Sequence, residues 1–534
     1  YGISQIATVD SYYKISKTQG GFSGVLDNDD IFGNPECIGD LNNDGIDDFA
    51  IAAPGDDDGG TNKGAIWILF MKNDFSVDSY QKISNTQGNF NGSLDSDDLI
   101  GAAISNIGDI NSDGITDIAV GAWSDDDGGV NSGAVWVIFM NPDGTVKSHQ
   151  KISATQGGLV GLTANRHFGR GICSLGDLDN DGVNDIAVGS PAYDDDGGLY
   201  RGCVWVLFLN SDGTVKSQQK INDYQGNLGY SLDDEDRFGY SIANIGDIDN
   251  DGVIDIAVGS KDDDDGGINT GAVYIMKLNM DGTVKSSQKI SALSGGFVGL
   301  IEAEDGFGFD VSGVGDIDGD MVQDIAVSAP FDDDGGNNIG AVWVIFMNPD
   351  GTSKDYTKIS STYGNFNGDL DPGDVFGVNV SSYGDINNDG HVELLVAATA
   401  DDDGGNNIGA TWILSINSNV SSLNAFNRDI ITIHPNPTHG NINISIENFN
   451  RNVQTEVYDL IGNRLQTINE TTISLRDYAR GIYLLKVSYG DKVEEMKVVK
   501  DSPPFAFLTK STFVLFLYCI CAVFSLFFHC IYQF

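Results

Sequence analysis

The 534-residue sequence is short of positive charge, cysteine and helical periodicity. Its 29 Lys and Arg face 78 Asp and Glu, and the formal net charge of −49 excludes a nucleic-acid-binding protein. Six cysteines are too few for a disulfide framework. The apolar content of 40 % still allows packed cores, so the acidity does not indicate disorder. We therefore expect a folded, very acidic protein of three or four domains.

An internal repeat of 68 to 70 residues organises most of the chain. Lys-Ile-Ser or a close relative marks one position of each copy, and Gly-Asp followed by a short acidic run marks another. The two markers recur at Lys14, Lys82, Lys151, Lys220, Lys289 and Lys358, and at Asp40, Asp109, Asp177, Asp247, Asp316 and Asp385. Six copies span residues 8–416.

Each copy predicts four short antiparallel β-strands. Apolar residues alternate or run in short β-branched stretches such as 118–122, 133–140 and 146–153, and Gly- and Asp-rich turns separate them. The sequence Asn-Pro-Asp-Gly at 141–144 is a hairpin signal. Radial repetition of four-stranded units is typical of a β-propeller, so we expect an all-β chain in which residues 1–416 form six visible blades.

The first strand leaves the number of blades open. Residues 8–14 align with 145–151, so the chain begins inside the fourth strand of a unit. Either this strand closes a six-bladed ring by pairing with the last unit, or an upstream blade is missing and the ring natively has seven. A chain that starts at Tyr1 rather than Met is a fragment or has lost a signal peptide, which favours seven blades.

The acidic run of each copy predicts a calcium loop. In the third copy, oxygen-bearing side chains occupy positions 1, 3, 5 and 9, at Asp177, Asp179, Asp181 and Asp185. Val183 at position 7 would offer its backbone carbonyl, and glycine at position 6 permits a sharp turn around the ion. Magnesium requires a tighter octahedron, and zinc prefers His or Cys ligands. Calcium is therefore the expected cofactor, at up to six sites.

The same pattern recurs in the other five copies, with two departures. Its members are Asp40, Asn42, Asp44, Ile46 and Asp48; Asp109, Asn111, Asp113, Ile115 and Asp117; Asp247, Asp249, Asp251, Val253 and Asp255; Asp316, Asp318, Asp320, Val322 and Asp324; and Asp385, Asn387, Asp389, His391 and Glu393. Met321 replaces the glycine of the fifth loop, and the sixth loop ends in the longer carboxylate of Glu393. We expect these two loops to bind calcium more weakly.

At these positions the repeats resemble the FG-GAP repeats of the integrin α-subunit propeller. The Phe-Gly signature stands at residues 32–33, 168–169, 238–239, 307–308 and 376–377, whereas the second copy has Ile100-Gly101. A second signature follows the calcium loops as Ala-Ala-Pro at 52–54, Gly-Ala-Trp at 121–123, Gly-Ser-Pro at 189–191 and Ser-Ala-Pro at 328–330. The resemblance implies a propeller whose calcium loops join the first two strands of each blade on its lower face.

A second acidic cluster, followed by Gly-Gly, joins strands two and three of each copy. The clusters are 56–58, 125–127, 194–196, 262–265, 332–334 and 401–403. Because consecutive strands are antiparallel, these clusters lie opposite the calcium loops, on an upper face. This face is either solvated and resistant to aggregation, or binds additional calcium or a cationic or cation-bridged ligand. The integrin resemblance implies that it meets partners, here a protein or a glycan.

No catalytic constellation is visible, so we expect no enzymatic activity. The histidines are scattered, and no serine or cysteine motif has a base near it in sequence. Cys173 and Cys203 fall on the first and third strands of one blade, too far apart for a disulfide, and are expected as small core residues. A polysaccharide-acting enzyme is the less favoured alternative, because propellers support catalysis in other families.

The acidic repeat stops at a polar linker, residues 417–428, and a module of short alternating strands fills 429–500. Pro-Asn-Pro-Thr at 435–438, Val-Tyr-Asp-Leu at 457–460, Gly-Ile-Tyr at 481–483 and Lys-Val-Val-Lys at 497–500 resemble the C-terminal sorting domain of type IX secretion substrates. The resemblance implies export across the outer membrane, with the domain read by the secretion machinery and then removed. The alternative is a generic immunoglobulin-like sandwich.

Residues 501–534 depart from that resemblance, because sorting domains normally end the chain. The stretch 511–534 carries no Asp, Glu, Lys or Arg, and 511–533 is long enough to cross a bilayer as a helix. Basic residues on its N-terminal side would place that end in the cytoplasm, against export of the propeller. The tail is therefore either the anchor of a type I surface receptor or a spurious extension.

Together these patterns predict an exported calcium-binding β-propeller that acts in cell-surface adhesion or ligand recognition, outside the cell or on its outer surface. The expected partners are a protein or glycan at the acidic upper face, the type IX secretion machinery at 429–500, and a membrane if 511–533 inserts. A structural surface-layer protein and a membrane-anchored integrin-like receptor are the alternatives.

Overall fold

The computed structural model of the protein describes residues 7–193, 198–386, 389–418, 431–434, 441–446, 453–459, 463–469, 471–489 and 492–500. The chain divides into two compact units, Tyr1–Val420 and Ser421–Phe534. Every regular element of the described residues is a β-strand, as the alternating apolar pattern predicts. Linker residues 419–428 and the hydrophobic tail 501–534 lie outside the described residues. Within the described residues, no helix has the length and apolarity needed to cross a bilayer.

The first unit consists of six four-stranded antiparallel sheets. Sheet 1 contains β2 (Asn34–Gly39), β3 (Asp48–Ala53), β4 (Ala65–Met71) and β5 (Val77–Ser84). Sheet 2 contains β6 (Ile104–Gly108), β7 (Asp117–Ala122), β8 (Ala134–Met140) and β9 (Val146–Ile152). Sheet 3 contains β10 (Ile172–Gly176), β11 (Asp185–Gly189), β12 (Val204–Leu209) and β13 (Val215–Ile221).

The remaining three sheets follow the same order along the chain, with one exception. Sheet 4 contains β14 (Ser241–Asn244), β15 (Ile256–Ser260), β16 (Ala272–Leu278) and β17 (Val284–Ser291). Sheet 5 contains β18 (Val311–Gly315), β19 (Asp324–Ala329), β20 (Ala341–Met347) and β21 (Ser353–Ser360). Sheet 6 contains β22 (Val380–Gly384), β23 (Val392–Ala398) and β24 (Ala410–Ser418), and its fourth strand is β1 (Ala7–Ser16) from the start of the chain.

The two middle strands of each sheet carry most of its packing. Strands β7 and β8 are buried along their whole length, whereas β9 is buried only towards its ends. Neighbouring sheets stack face to face, and a separate apolar core fills each of the six interfaces. The core between sheets 2 and 3, for example, contains Val135, Ile186 and Trp205. A strand covered on both faces needs a continuous apolar run, which explains the sequence of β8.

Strand β1 closes the ring. It pairs antiparallel with β24, with Lys14 opposite Trp412. The first strands of successive sheets contact one another, and β22 of sheet 6 contacts β2 of sheet 1. One apolar core joins Ile413 of sheet 6 to Phe49 of sheet 1. Within the described residues, β1 is thus the fourth strand of sheet 6, as the six-bladed alternative predicts.

Glycine in the repeat signatures allows the backbones of neighbouring sheets to touch. A Cβ on Gly121 would lie 1.9 Å from the carbonyl oxygen of Gly169, and a Cβ on Gly189 would lie 1.9 Å from that of Gly239. Phe168, which precedes Gly169, is fully buried. The Phe-Gly signature of one sheet thus meets the second signature of the sheet before it. At Gly121 and Gly189 a side chain would meet the facing backbone, whereas sheets 1, 5 and 6 accommodate Ala52, Ser328 and Ala397 at the same position.

A buried lysine ties the upper end of each blade together. We call the end of the ring with the loops between first and second strands the lower face, and the opposite end the upper face. Lys82 Nζ lies 2.6 Å from Asp56, 2.8 Å from Asp58 and 5.1 Å from the centre of the Trp67 ring. We call this arrangement the lysine clamp, and it recurs as Lys14 with Asp401 and Asp403, Lys151 with Asp125 and Asp127, Lys289 with Asp263 and Asp265, and Lys358 with Asp332 and Asp334.

The clamp joins the fourth strand of a sheet to the loop between its second and third strands. Burial opposes ionisation of both partners, but the ion pairs outweigh it, so the pKa of Lys82 is raised and that of Asp58 is lowered. In sheet 6 the lysine comes from β1, which reinforces ring closure. In sheet 3, Lys220 donates to the Tyr193 hydroxyl at 2.6 Å, while its acidic cluster 194–196 lies outside the described residues.

The second unit is a small β-sandwich. One sheet contains β25 (Ile431–His434), β26 (Asn441–Ile446) and β29 (Thr472–Ser474). The other contains β27 (Val453–Tyr458), β28 (Arg464–Ile468), β30 (Gly481–Tyr489) and β31 (Lys492–Lys500), in the spatial order β28-β27-β30-β31. Ile444 and Ile473 of the first sheet share one apolar core with Val457 and Leu485 of the second. The two-sheet arrangement agrees with the β-sandwich predicted for 429–500.

The lysine clamp predicts a large difference between two lysines of the same blade. Lys82→Met should destabilise the propeller by about 3–5 kcal/mol, because it leaves Asp56 buried without its counter-charge. Lys72→Met should cost at most about 1 kcal/mol, because the Lys72–Asp78 pair is exposed. Urea unfolding followed by tryptophan fluorescence measures both. Equal midpoints for the two variants would contradict a structural role of the clamp.

Candidate functional site

The six loops between first and second strands share one internal hydrogen-bond pattern, and we number them by sheet. In loop 3, the two carboxylate oxygens of Asp177 accept the backbone N–H groups of Asp181 at 2.8 Å and Gly182 at 2.9 Å. Asp181 in turn accepts the N–H of Val183 at 2.9 Å. The same three bonds recur in every loop. Each loop is therefore wrapped around its own carboxylates.

The last carboxylate of each loop is fixed inside the blade. Asp185 begins β11 and accepts the N–H of Leu178 at 3.0 Å and that of Leu209 in β12 at 2.9 Å. Burial raises the pKa of Asp185 to about 6. The equivalent residues are Asp48, Asp117 and Asp324, whose pKa burial raises to about 7, and Asp255, whose pKa it raises to about 6. An adjacent cation would favour the charged form of each.

In loops 3, 4 and 5, converging carboxylates with an unpartnered buried oxygen fit a hard cation. Carboxylate oxygens at positions 1, 3 and 9 of loop 3, from Asp177, Asp179 and Asp185, lie within 4.8 Å of one another. So do those at positions 1, 3 and 5 of loops 4 and 5, from Asp247, Asp249 and Asp251, and from Asp316, Asp318 and Asp320. One oxygen each of Asp179, Asp249 and Asp318 is buried and accepts no hydrogen bond within the described structure. A donor set made only of oxygens suits a hard divalent cation.

The two departing loops differ in ways that the sequence indicated. Met321 adopts a φ of 72°, the left-handed conformation that favours the glycine of the other loops. Glu393 is fully buried and accepts the hydroxyl of Ser415 at 2.9 Å. Asn387 of the sixth loop lies outside the described residues. The structure therefore places Glu393 where the other loops have aspartate, and weaker ion binding by loops 5 and 6 stays a prediction.

Four loops also hold a lysine that sequence reasoning missed. Lys216, next to the start of β13, lies 2.5 Å from both Asp179 and Asp181 of loop 3. Lys147, Lys285 and Lys354 make the equivalent ion pairs with loops 2, 4 and 5. The sequence contained a signal for these ion pairs, because all four lysines stand at one position of the repeat. Sequence reasoning did not connect them with the acidic loops, because each lysine lies about 35 residues away along the chain.

Most aspartates in the acidic clusters of the upper face form ion pairs or hydrogen bonds within their own blade. In the five clusters that the structure describes, the lysine clamp uses two aspartates separated by one residue, as shown for Asp56 and Asp58. The residue between them, such as Asp57, accepts the backbone N–H of Asn62 at 2.8 Å, and this bond also recurs. Neither predicted interpretation includes this role, because the lysine partner lies 24 to 26 residues further along the chain in four of these blades and in β1, at the start of the chain, for sheet 6.

One sector of the upper face carries exposed apolar side chains. Val130, Leu199 and Ile268 occupy equivalent positions after the acidic clusters of sheets 2, 3 and 4, and are 59 %, 44 % and 65 % exposed. The same position in the other blades holds Asn337, Asn406 and Thr61. The three backbone carbonyls accept N–H groups of Asn165, Glu235 and Glu304 in the loops that lead into the next sheets. We call Val130, Leu199 and Ile268 the apolar arc.

Two leading loops also carry exposed apolar side chains. Val160 precedes sheet 3 and is 71 % exposed, and Val298 and Leu300 precede sheet 5 and are 81 % and 73 % exposed. Each lies in a leading loop that is hydrogen-bonded to a residue of the apolar arc. Outside this sector, Val25 in the loop before sheet 1 is 73 % exposed.

All four arginines of residues 1–416 lie in the same sector, at the upper ends of sheets 3 and 4. Arg170 stacks 4.0 Å from the ring centre of Tyr240, and Lys261 lies 5.0 Å from the same ring. Arg201 pairs with Asp234 at 2.8 Å, and Arg237 pairs with Asp262 at 2.8 Å. The negative charge of this sector is therefore partly balanced by the chain itself.

A polar cavity of about 540 Å³ lies between the first strands of the six sheets. Glu36 in its wall accepts the N–H of Asn106 at 3.1 Å and the hydroxyl of Ser381 at 2.9 Å. Burial raises the pKa of Glu36 to about 7 and that of Asp310 to about 6. The blades therefore enclose two polar carboxyl groups near the axis of the ring.

The described histidines and cysteines have structural surroundings. His149 packs against Phe90 and Trp136, with both ring centres 5.1 Å away. His167 packs edge-on to Trp123 at 4.7 Å. Cys173 and Cys203 are buried in different apolar cores, which confirms the prediction that they are small core residues.

Comparison with known proteins identifies both units of the chain. Residues 32–69 and 168–207 match the FG-GAP repeat family, and residues 432–501 match the secretion system C-terminal sorting domain. The first two matches fall in sheets 1 and 3, and the third covers the small β-sandwich. The family matches therefore coincide with the two units seen in the structure.

The repeats are also similar to longer proteins. Integrin alpha-3 of Cricetulus griseus is 34 % identical over 197 residues, which cover 37 % of this chain and 17 % of that protein. Integrin alpha-2 of Mus musculus is 32 % identical over 201 residues, which cover 37 % and 15 %. Phosphatidylinositol-glycan-specific phospholipase D of Rattus norvegicus is 25 % identical over 201 residues, which cover 38 % and 23 %. The chain spans less than a quarter of the length of each of these relatives.

Both resemblances predicted from the sequence are thereby confirmed. The six sheets, their acidic loops and the meeting of the glycine signatures give the FG-GAP matches a structural basis. The small β-sandwich gives the match to the secretion sorting domain a structural basis as well. The chain carries an FG-GAP β-propeller with integrin α homologues, followed by a type IX secretion sorting domain.

Proposed function

We propose that the protein is an exported, calcium-stabilised β-propeller that recognises a protein partner at the cell surface or in its surroundings. The apolar arc on the upper face is the observation that carries this proposal. The integrin α homologues and the sorting domain support an adhesion or ligand-binding role outside the cell. The blades act as a scaffold, and the upper face is the contact surface.

The chain itself shows that the apolar arc is not required by the fold. Sheets 5, 6 and 1 have Asn337, Asn406 and Thr61 at the same position and form equivalent blades. Isolated exposed apolar residues are ordinary, whereas neighbouring ones at equivalent positions form a surface. Exposed Asp126 and Asp264 lie close to the arc in sequence. The partner surface should therefore combine an apolar centre with a basic rim.

Calcium is the cation that best suits the six acidic loops. The loops offer carboxylate, amide and carbonyl oxygens in a flexible turn, which suits calcium better than the rigid octahedron of magnesium. Asp185 and its equivalents tie the first three strands of a blade together through their backbone hydrogen bonds. An ion held there would stabilise the blade and offset the acidic charge of the lower face.

Export through the type IX pathway follows from the sorting domain. The secretion machinery would read residues 429–500 and remove them, so that the working molecule ends in the linker 417–428. A type I membrane anchor through 511–533 is the alternative, and that stretch lies outside the described residues. A structural surface-layer role differs from recognition in requiring no specific partner. A polysaccharide-acting enzyme is the least favoured alternative.

The apolar arc predicts a loss of binding when it is given the residue of the other blades. The triple variant Val130→Asn, Leu199→Asn and Ile268→Asn should bind at least about tenfold more weakly, because buried apolar area is lost. Depletion of the purified propeller by intact cells and by immobilised matrix proteins and glycans measures binding. Met321→Gln on the lower face is the control, since Met321 is 83 % exposed. Unchanged depletion by the triple variant would refute the upper face as the contact surface.

Calcium removal should lower the stability of the propeller strongly. At a free concentration one hundred times Kd, one bound ion contributes about 2.7 kcal/mol, and up to six sites act together. We expect EDTA to lower the melting temperature by more than about 10 °C, and calcium, but not magnesium, to restore it. Differential scanning calorimetry checks this. A melting curve that EDTA leaves unchanged would contradict the calcium assignment.

The sorting domain predicts a processed extracellular species. Intact mass measurement of the protein from its native source, after separation of supernatant, outer surface and integral membrane, should show a chain that ends near residue 428. It should be soluble or linked to surface lipopolysaccharide. An uncleaved species that needs detergent and retains Cys519 to Cys530 would establish the membrane-anchored alternative instead.

A further inference from the structure

Each fourth strand carries a β-bulge at the lower face, beside the acidic loop of its own sheet. In sheet 3 the register shifts between the pairs Phe208–Ser217 and Leu209–Val215, so Lys216 is the bulged residue. The same shift leaves Lys147, Lys285 and Lys354 at the bulges of sheets 2, 4 and 5. A β-bulge changes the direction of the side chain of the extra residue, and here it directs the lysine over the acidic loop of the same sheet.

The four bulge lysines reach the carboxylates that would hold a cation. Lys216 lies 2.5 Å from Asp179 and from Asp181. Lys285 lies 2.8 Å from Asp249 and 2.5 Å from Asp251, Lys354 lies 2.6 Å from Asp318 and from Asp320, and Lys147 lies 2.5 Å from Asp113. Their side chains are 38 % to 49 % exposed. Each lysine can therefore leave its loop without unpacking a core.

Sheets 1 and 6 have an aspartate at the same bulge. Asp78 is the bulged residue of β5, and Asp10 is the bulged residue of β1. Asp78 pairs with Lys72 at 3.1 Å, and no described ion pair joins a lysine to loop 1. Loop 1 otherwise has the same internal hydrogen bonds as loops 2 to 5. Loops 1 and 2 offer the same types of side chain at positions 1, 3, 5 and 9. Sheets 1 and 2 thus differ in the sign of one charge, at Asp78 and Lys147, beside the same set of oxygens.

We propose that the bulge lysines are built-in counter-cations that lower the calcium affinity of loops 2 to 5, so that loop 1 fills first. The inference rests on the calcium binding proposed above. An ammonium group and a divalent cation compete for the same oxygens and repel each other at close range, whereas an aspartate attracts the ion. The lysines also keep loops 2 to 5 charge-balanced when calcium is scarce, which loop 1 cannot do.

Reciprocal substitutions at the bulge test the proposal. The full-length protein is freed of calcium with EDTA and titrated with calcium by calorimetry, which should show one tight site, loop 1, and weaker sites in the other loops. Lys216→Met should raise the affinity of loop 3 at least about tenfold and give a second tight site. Asp78→Lys should lower the affinity of loop 1 similarly and leave no tight site. Lys17→Met removes the same charge from the upper face and should leave the pattern of the unmodified protein.

Melting temperatures supply a second readout. Lys216→Met should melt lower than the unmodified protein in EDTA and gain more on calcium addition, because its carboxylates lack any counter-charge without the ion. If the lysine only stabilises the strand, the variant melts lower by the same amount with and without calcium, and its affinity is unchanged. That result, or six equal sites in all variants, overturns the inference while calcium binding stands. Absence of calcium binding in every variant overturns both proposals.

Discussion

Neutralisation of closely spaced carboxylates is the constraint on which the structure depends. At the upper end of a blade, aspartates from one loop meet a buried lysine that lies over an aromatic ring, as in the group Lys82, Asp56 and Trp67. At the lower end, carboxylates converge with oxygens that have no partner, and a lysine or a hard cation has to balance them. Without these counter-charges, repulsion would oppose the close strand contacts that the apolar cores require.

Comparison among the six copies of the repeat also distinguishes the residues that build the ring from the residues that serve its function. Features shared by all six blades, such as the buried third strand and the glycine of the Phe-Gly signature, serve packing between sheets. Features present in only some blades have no such role, because other blades fold without them. The apolar arc and the bulge residues belong to this second class, and they lie on opposite faces. Departures from internal symmetry are therefore the best guide to function in this chain.

Much of the fold and half of the site could be predicted from the sequence. The period, the alternating strands and the spacing of Asp177, Asp179 and Asp181 are local signals, so the propeller and its acidic loops were accessible. Ring closure remained one of two alternatives, because the pairing of β1 with β24 joins the two ends of the propeller. The lysine clamps and bulge lysines were missed. In the sequence these lysines resemble ordinary surface residues, because only antiparallel strand pairing brings them next to the aspartates.

The positions of the two faces argue that the proposed calcium ions would support the propeller rather than switch it. Asp185 connects the loop to β11 and β12 at the lower end, and β12 runs from there back to the upper loop that contains Leu199. Strands of this kind transmit rigidity, but a switch needs an element with two packed arrangements. The middle strands of each blade are buried on both faces between neighbouring cores, which leaves them one arrangement. Ion occupancy should therefore determine the stability of the upper face, and the apolar arc should determine which partner that face binds.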